Sequence, residues 1–119
     1  MGNFNFCGIH VLGEIYDANK EKLNNLDFLV EALSRGVEKS NATCVGTLIK
    51  KFEPQGLSVV MLLSESHVSV HTYPEYNSLF FDAFTCGEKC NPEMIIQTLK
   101  SELGSDLVNI NVMKRGGNP

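Results

Sequence analysis

Long apolar runs are missing from this 119-residue chain. The longest, over residues 57–63, is interrupted by Ser58 and falls far short of the roughly 20 residues that a membrane-spanning helix needs. Positive charge is scarce as well. Ten Lys and Arg stand against fourteen Asp and Glu, for a net charge of −4, and no basic run collects them. Nucleic acid, which wants a basic face, is therefore not an expected partner, and neither is a membrane. The first residues, Met1-Gly2-Asn3-Phe4, lack a charged segment followed by an apolar one. Secretion is not expected on that ground, and a soluble cytoplasmic protein is. No Pro/Gly/Ser linker, low-complexity tract or internal repeat divides the chain, so residues 1–119 are expected to form one domain.

What is present argues for a folded core. Apolar residues make up 43% of the chain, too many for a disordered sequence. Four cysteines, Cys7, Cys44, Cys86 and Cys90, could form two disulfides in a secreted domain; in a cytoplasmic one they are expected to be thiols. Cys7 and Cys44 lie in apolar, strand-like stretches and are expected to be buried packing residues.

The pattern of apolar residues predicts strands over 6–16, 43–52, 57–63, 66–73, 79–85 and 107–113. A helix is predicted from the Asn24-Asn25-Leu26-Asp27 capping candidates to about Ser40, with Leu29, Leu33 and Val37 at helical spacing. A second opens at Asn91-Pro92-Glu93, carries Met94, Ile95, Leu99 and Leu103, and ends at Gly104. That order predicts an α+β two-layer sandwich, a largely antiparallel sheet with two helices on one face. Strand 57–63 is apolar on both faces: Val60 and Leu62 point one way, Val59, Met61 and Leu63 the other. A second sheet, most simply from a symmetric partner, would bury the free face.

The unusual stretch is Ser64-Glu65-Ser66-His67-Val68-Ser69-Val70-His71-Thr72-Tyr73-Pro74-Glu75. Val68 and Val70 alternate with His67, Ser69 and His71, a strand with one apolar and one polar face. A strand seldom carries two histidines and several hydroxyls on one face unless that face meets water or lines a reaction site. A metal site is one reading, since His67 and His71 are spaced H-x3-H and Cys86 and Cys90 C-x3-C. On a strand, however, residues four apart lie roughly 13 Å from each other at ~3.3 Å per residue, so no metal is expected. A serine or cysteine hydrolase lacks its Gly-x-Ser-x-Gly elbow.

Leu63-Ser64-Glu65-Ser66-His67, His71-Thr72-Tyr73-Pro74-Glu75 and Phe84-Thr85-Cys86-Gly87 together closely resemble the prokaryotic S-adenosylmethionine decarboxylase proenzymes. Upstream, Phe52-Glu53-Pro54-Gln55-Gly56-Leu57-Ser58 is similar to that family's approach to its cleavage site, and Gly8-Ile9-His10 is a weaker match. The resemblance implies a proenzyme that cuts itself between Glu65 and Ser66, into 1–65 and 66–119, leaving a covalent pyruvoyl group derived from Ser66. By the same resemblance that group forms the Schiff base with substrate, His71 and Ser58 assist processing, and Cys86 is the proton donor of turnover. Glu75, Phe52 and His67 would bind substrate, Glu75 at the ribose diol and Phe52 against adenine. Cys90 has no counterpart in the motif and reads as structural. The implied activity is decarboxylation of S-adenosylmethionine for spermidine biosynthesis, by a homodimer of αββα architecture. Two alternatives stay open at this level: a pyruvoyl-dependent arginine or ornithine decarboxylase on the same fold, and a non-catalytic nucleotide-binding module.

Overall fold

A computed structural model describes residues 6–86 and 88–117. The leader reading at residues 1–4 and Gly87 of the Phe84-Thr85-Cys86-Gly87 motif lie outside the described residues. Six strands, β1 (Cys7–Tyr16), β2 (Cys44–Lys51), β3 (Leu57–Leu63), β4 (Ser66–Tyr73), β5 (Ser78–Cys86) and β6 (Leu107–Gly116), build one sheet in the order β2-β3-β4-β5-β1-β6. Every pairing is antiparallel. The α+β architecture expected from the residue pattern is the one observed.

Among the described residues three helices, rather than two, accompany the sheet. The additional one, α1 (Lys20–Leu23), is a single turn capped by the Asn19 side chain, which accepts from the Lys22 N–H at 2.9 Å. Four residues are too few to show a helical period, which is why the sequence pattern passes over it. Asn25 caps α2 (Leu26–Lys39) by accepting from the Phe28 N–H at 3.1 Å, satisfying one of the unpaired amides of the first turn. Pro92 precedes α3 (Glu93–Glu102), and Gly104, at φ +71°, ends it in the left-handed conformation that glycine adopts at no steric cost.

The core lies between the sheet and the helices. Leu29, Ala32, Leu33 and Val37 of α2, with Ile95, Ile96 and Leu99 of α3, cover Val11, Val59, Met61, Val68, Val70, Phe81 and Ala83. Each such aliphatic side chain taken out of water contributes about 1.5–3 kcal/mol. The two long helices approach closely at Gly36, where an added Cβ would stand 3.1 Å from the Ile95 Cα.

The opposite face of the sheet is open in the single chain. Leu48, Val60, Leu62, Phe80 and Leu12 are exposed there, Leu48 by 77% and Leu62 by 59%. The two-faced apolar character of β3 is therefore realised, with Val59, Met61 and Leu63 buried and the alternate residues uncovered. One expectation is corrected. Cys7 and Cys44 are exposed rather than packed, because they lie at strand ends near the sheet edges that the helices do not cover. Cys86 and Cys90 are buried, and all four cysteines are free thiols.

Candidate active site

The candidate chemistry falls at two ends of β4. At its start, Leu63 pairs with Ser66, so Ser64 and Glu65 alone make the turn between β3 and β4. That turn is tied down from the side. The Ser64 N–H donates to the Thr43 carbonyl at 2.9 Å, and the Thr43 N–H donates to Glu65 Oε1 at 3.0 Å. On the other flank the Cys86 N–H donates to the Glu65 carbonyl oxygen at 2.9 Å. A backbone donor at this distance is placed to stabilise negative charge developing on that oxygen. Ser66 itself sits at φ +150°, a region open to glycine and costing other residues on the order of 1–3 kcal/mol. The bond between Glu65 and Ser66 is thus held at one strained residue and polarised from one side.

Around Ser66 the sheet is dry. Ser66, Thr85 and Cys86 are all buried, Ser66 and Thr85 on the helix-facing side. Burial pushes the Cys90 thiol up, and its nearness to Glu65 and Cys86 adds to that. Cys90 also packs in the core and points its Sγ at the Asn41 carbonyl at 3.5 Å, in keeping with a structural role. Thr85, the Cα partner of Ser66, is 1% exposed, and its Oγ1 has no hydrogen-bond partner. An unpaired buried hydroxyl costs about 1–3 kcal/mol. The sequence motif contains this threonine, but only the sheet register shows that it faces Ser66.

At the far end of β4 lies a cleft of about 430 Å³, within the usual range for small-molecule sites. Phe52, Ser58, His71, Tyr73 and Glu75 are among its walls. Ser58 and His71 are directly opposed on β3 and β4, and Ser58 Oγ and His71 Nδ1 share a hydrogen bond at 2.6 Å. Glu75 is placed by the 3₁₀ turn Pro74–Tyr76 that follows β4. Four of the residues singled out from the sequence are therefore brought together here, and three others, Glu65, Ser66 and Cys86, at the turn. The two groups are not brought together within one chain. Ser66 and His71 are five positions apart, a rise of ~16 Å, and the odd spacing puts them on opposite faces.

His67 belongs to neither group. It lies on the open face, where its Nε2 donates to Asp82 Oδ2 at 3.0 Å. His10 Nε2 bonds to the other oxygen of the same carboxylate. Arg115 Nη1 lies 3.2 Å from His10 Nδ1. Burial pushes the Asp82 carboxyl up, but the hydrogen bonds and charge of His10 and His67 outweigh it and hold it below the usual range. His10, His67 and Asp82 also put three metal-capable atoms within 4.8 Å of one another. Pairing His67 with His71 by sequence spacing missed this trio, because its members come from three strands.

A strained serine peptide in a six-stranded α+β sheet, with an imidazole–hydroxyl pair at a separate cleft, defines the class of domain. Comparison with known proteins narrows it. The profile of the S-adenosylmethionine decarboxylase family matches residues 9–116. An S-adenosylmethionine decarboxylase proenzyme of Symbiobacterium thermophilum is 38% identical over 109 residues, 92% of this chain and 83% of the relative. One from Prochlorococcus marinus is 39% identical over 98 residues, 82% of this chain and 78% of the relative. The crystal structure of the adenosylmethionine decarboxylase from Aquifex aeolicus superimposes with a TM-score of 0.87 at 27% identity, covering 97% of this chain and 95% of that one. The chain belongs to the S-adenosylmethionine decarboxylase family.

Proposed function

We propose that the chain is a proenzyme that cuts itself between Glu65 and Ser66 and then decarboxylates S-adenosylmethionine, whose product supplies the aminopropyl group for spermidine synthesis. The observation that carries this reading is the Glu65–Ser66 turn: a serine at φ +150° follows a carbonyl that already accepts the Cys86 N–H. Attack of Ser66 Oγ on the Glu65 carbonyl carbon closes a five-membered ring. The Cys86 N–H is in position to hold the resulting oxyanion. Collapse breaks the peptide C–N bond and leaves an ester with a free Ser66 amine. Removal of the Ser66 Cα proton expels the Glu65 carboxylate, and the double bond left behind becomes an imine, takes up water and releases ammonia. Residue 66 then ends as a ketone.

The surroundings of Ser66 fit such a pyruvoyl group: the residue is buried, and the Thr85 hydroxyl of its strand partner has no hydrogen-bond partner. When formed, the group serves as the electron sink for loss of carbon dioxide. The Cys86 thiol, one residue beyond the strand partner of Ser66, returns a proton to the substrate α-carbon. Glu75 accepts hydrogen bonds from the ribose diol, Phe52 offers its half-exposed ring to adenine, and His67 holds its place through Asp82.

His71 is the proton-transfer group of processing, with Ser58 orienting its ring. Since one chain keeps His71 ~16 Å along β4 from Ser66, the pair acts on the Ser66 of a second copy. The uncovered apolar face of the sheet, centred on Val60, Leu62 and Phe80, is the surface on which that copy packs, giving an αββα homodimer. The test of substrate is carbon dioxide release by the matured protein from carboxyl-labelled S-adenosylmethionine, arginine and ornithine. S-adenosylmethionine should turn over fastest; preference for a basic amino acid would overturn the substrate assignment.

A further inference from the structure

Thr85 is a motif residue for which the chemistry above has no task. Its side chain lies on the helix-facing side of the sheet, where the next residues along β4 and β5, Val68 and Ala83, are apolar. A valine would have the same shape there. The hydroxyl is thus an added polar atom in an apolar layer, and among the described residues it is the buried side-chain oxygen or nitrogen left without a partner. Buried polar groups are so regularly hydrogen-bonded that an orphan needs a reason.

Register supplies the reason. Thr85 is the direct Cα partner of Ser66. The bond from the Cys86 N–H to the Glu65 carbonyl makes Ser66–Thr85 a non-hydrogen-bonded pair of the ladder, the kind whose facing side chains stand closest, with Cβ atoms ~4.5–5.5 Å apart. Conversion of residue 66 replaces its hydroxyl-bearing side chain with a methyl and its α-carbon with a ketone. The ketone oxygen only accepts, whereas a threonine hydroxyl can donate. The β-branched side chain also has few rotamers, so the donor is aimed rather than free to swing.

We propose that the Thr85 hydroxyl, unpaired in the uncut chain, donates a hydrogen bond to the ketone oxygen formed at residue 66 and holds that group in its reactive orientation. The inference rests on the self-processing reading above. The donor polarises the ketone toward attack by the substrate amine, so its loss should lower kcat and leave KM nearly unchanged.

The test compares matured wild-type protein with Thr85→Val, which keeps the shape and removes the donor, and Thr85→Ser, which keeps the donor. Thr85→Ala replaces the valine variant should that one not fold. Isotope-edited infrared spectroscopy on protein made with labelled serine reads the ketone stretch directly. Thr85→Val should be cut like wild type by intact mass. Its ketone band should move to higher frequency, and kcat should fall about tenfold, the size expected for one lost hydrogen bond. Thr85→Ser should restore both. An unchanged band in a matured Thr85→Val protein overturns the proposal, and so does a Thr85→Val chain that stays uncut, which would place Thr85 in processing instead. A wild-type chain with no ketone at residue 66 would overturn the self-processing reading itself, a distinct outcome.

Discussion

The backbone N–H of Cys86 donates to the carbonyl oxygen of Glu65 at 2.9 Å, across the join between β5 and the β3–β4 turn. The contact ties two segments twenty-one residues apart at the bond that the chain is proposed to cut. Under the proposed function Cys86 then has two separable parts: a backbone amide for processing and a thiol for turnover.

Ser66→Ala removes the nucleophile and leaves that amide in place. Intact-mass spectrometry of the wild type should show chains 1–65 and 66–119, and the variant should remain one full-length species. A cleaved Ser66→Ala protein would place the nucleophile elsewhere.

Cys86→Ala keeps the backbone donor and loses only the thiol. It should still mature, though more slowly, and lose at least a hundredfold in carbon dioxide release, in the range typical of a missing general acid. Normal turnover in this variant would exclude the thiol from the site.

His71 and Ser66 are too far apart on β4 to meet within one chain, so complementation between copies is expected. Ser66→Ala and His71→Ala should each stay uncut when made alone. Co-expressed, they should yield a 66–119 fragment carrying the mass of the His71→Ala substitution. Mixed dimers that form but show no such fragment would assign His71 to its own chain.

Leu62 is 59% exposed on the open face, so Leu62→Glu should leave the single-chain fold intact by circular dichroism. Light scattering at micromolar concentration should then report a monomer where the wild type is a dimer, because the charge would be desolvated in a sheet-to-sheet contact. The same variant should accumulate uncut chain. A wild-type monomer, or a Leu62→Glu dimer, would remove the open face as the contact surface.

Asp82 holds two histidines, and its carboxyl is kept below the usual aspartate range. A lowered folded value means that its contribution to stability is complete above the ordinary value of ~3.9 and is lost as pH falls through the folded one. Urea unfolding of wild type and Asp82→Asn should therefore show a constant gap near neutrality that closes in acid below about pH 4. A gap that persists unchanged through that range would mean that the carboxylate adds nothing specific.

Much of this was legible in the chain alone. Alternation marks the strands, the 3.6 period marks the two long helices, and the two-sided apolar pattern of Val59, Val60, Met61 and Leu62 announces a sheet with two faces to cover. The dense motif from Phe52 to Cys86 likewise identifies the family, since it depends only on residue type and order. What the tertiary structure decided is adjacency. Sheet order brings β1 beside β5, and so places His10 on Asp82 across seventy-two residues of sequence. It stands Thr85 opposite Ser66 with its hydroxyl unpaired. It leaves Cys7 and Cys44 uncovered where local composition suggested burial. Periodicity sets which way a side chain points, because that follows from backbone geometry within one strand. Which strand lies alongside is set by long-range pairing and helix cover, which no local stretch of sequence encodes.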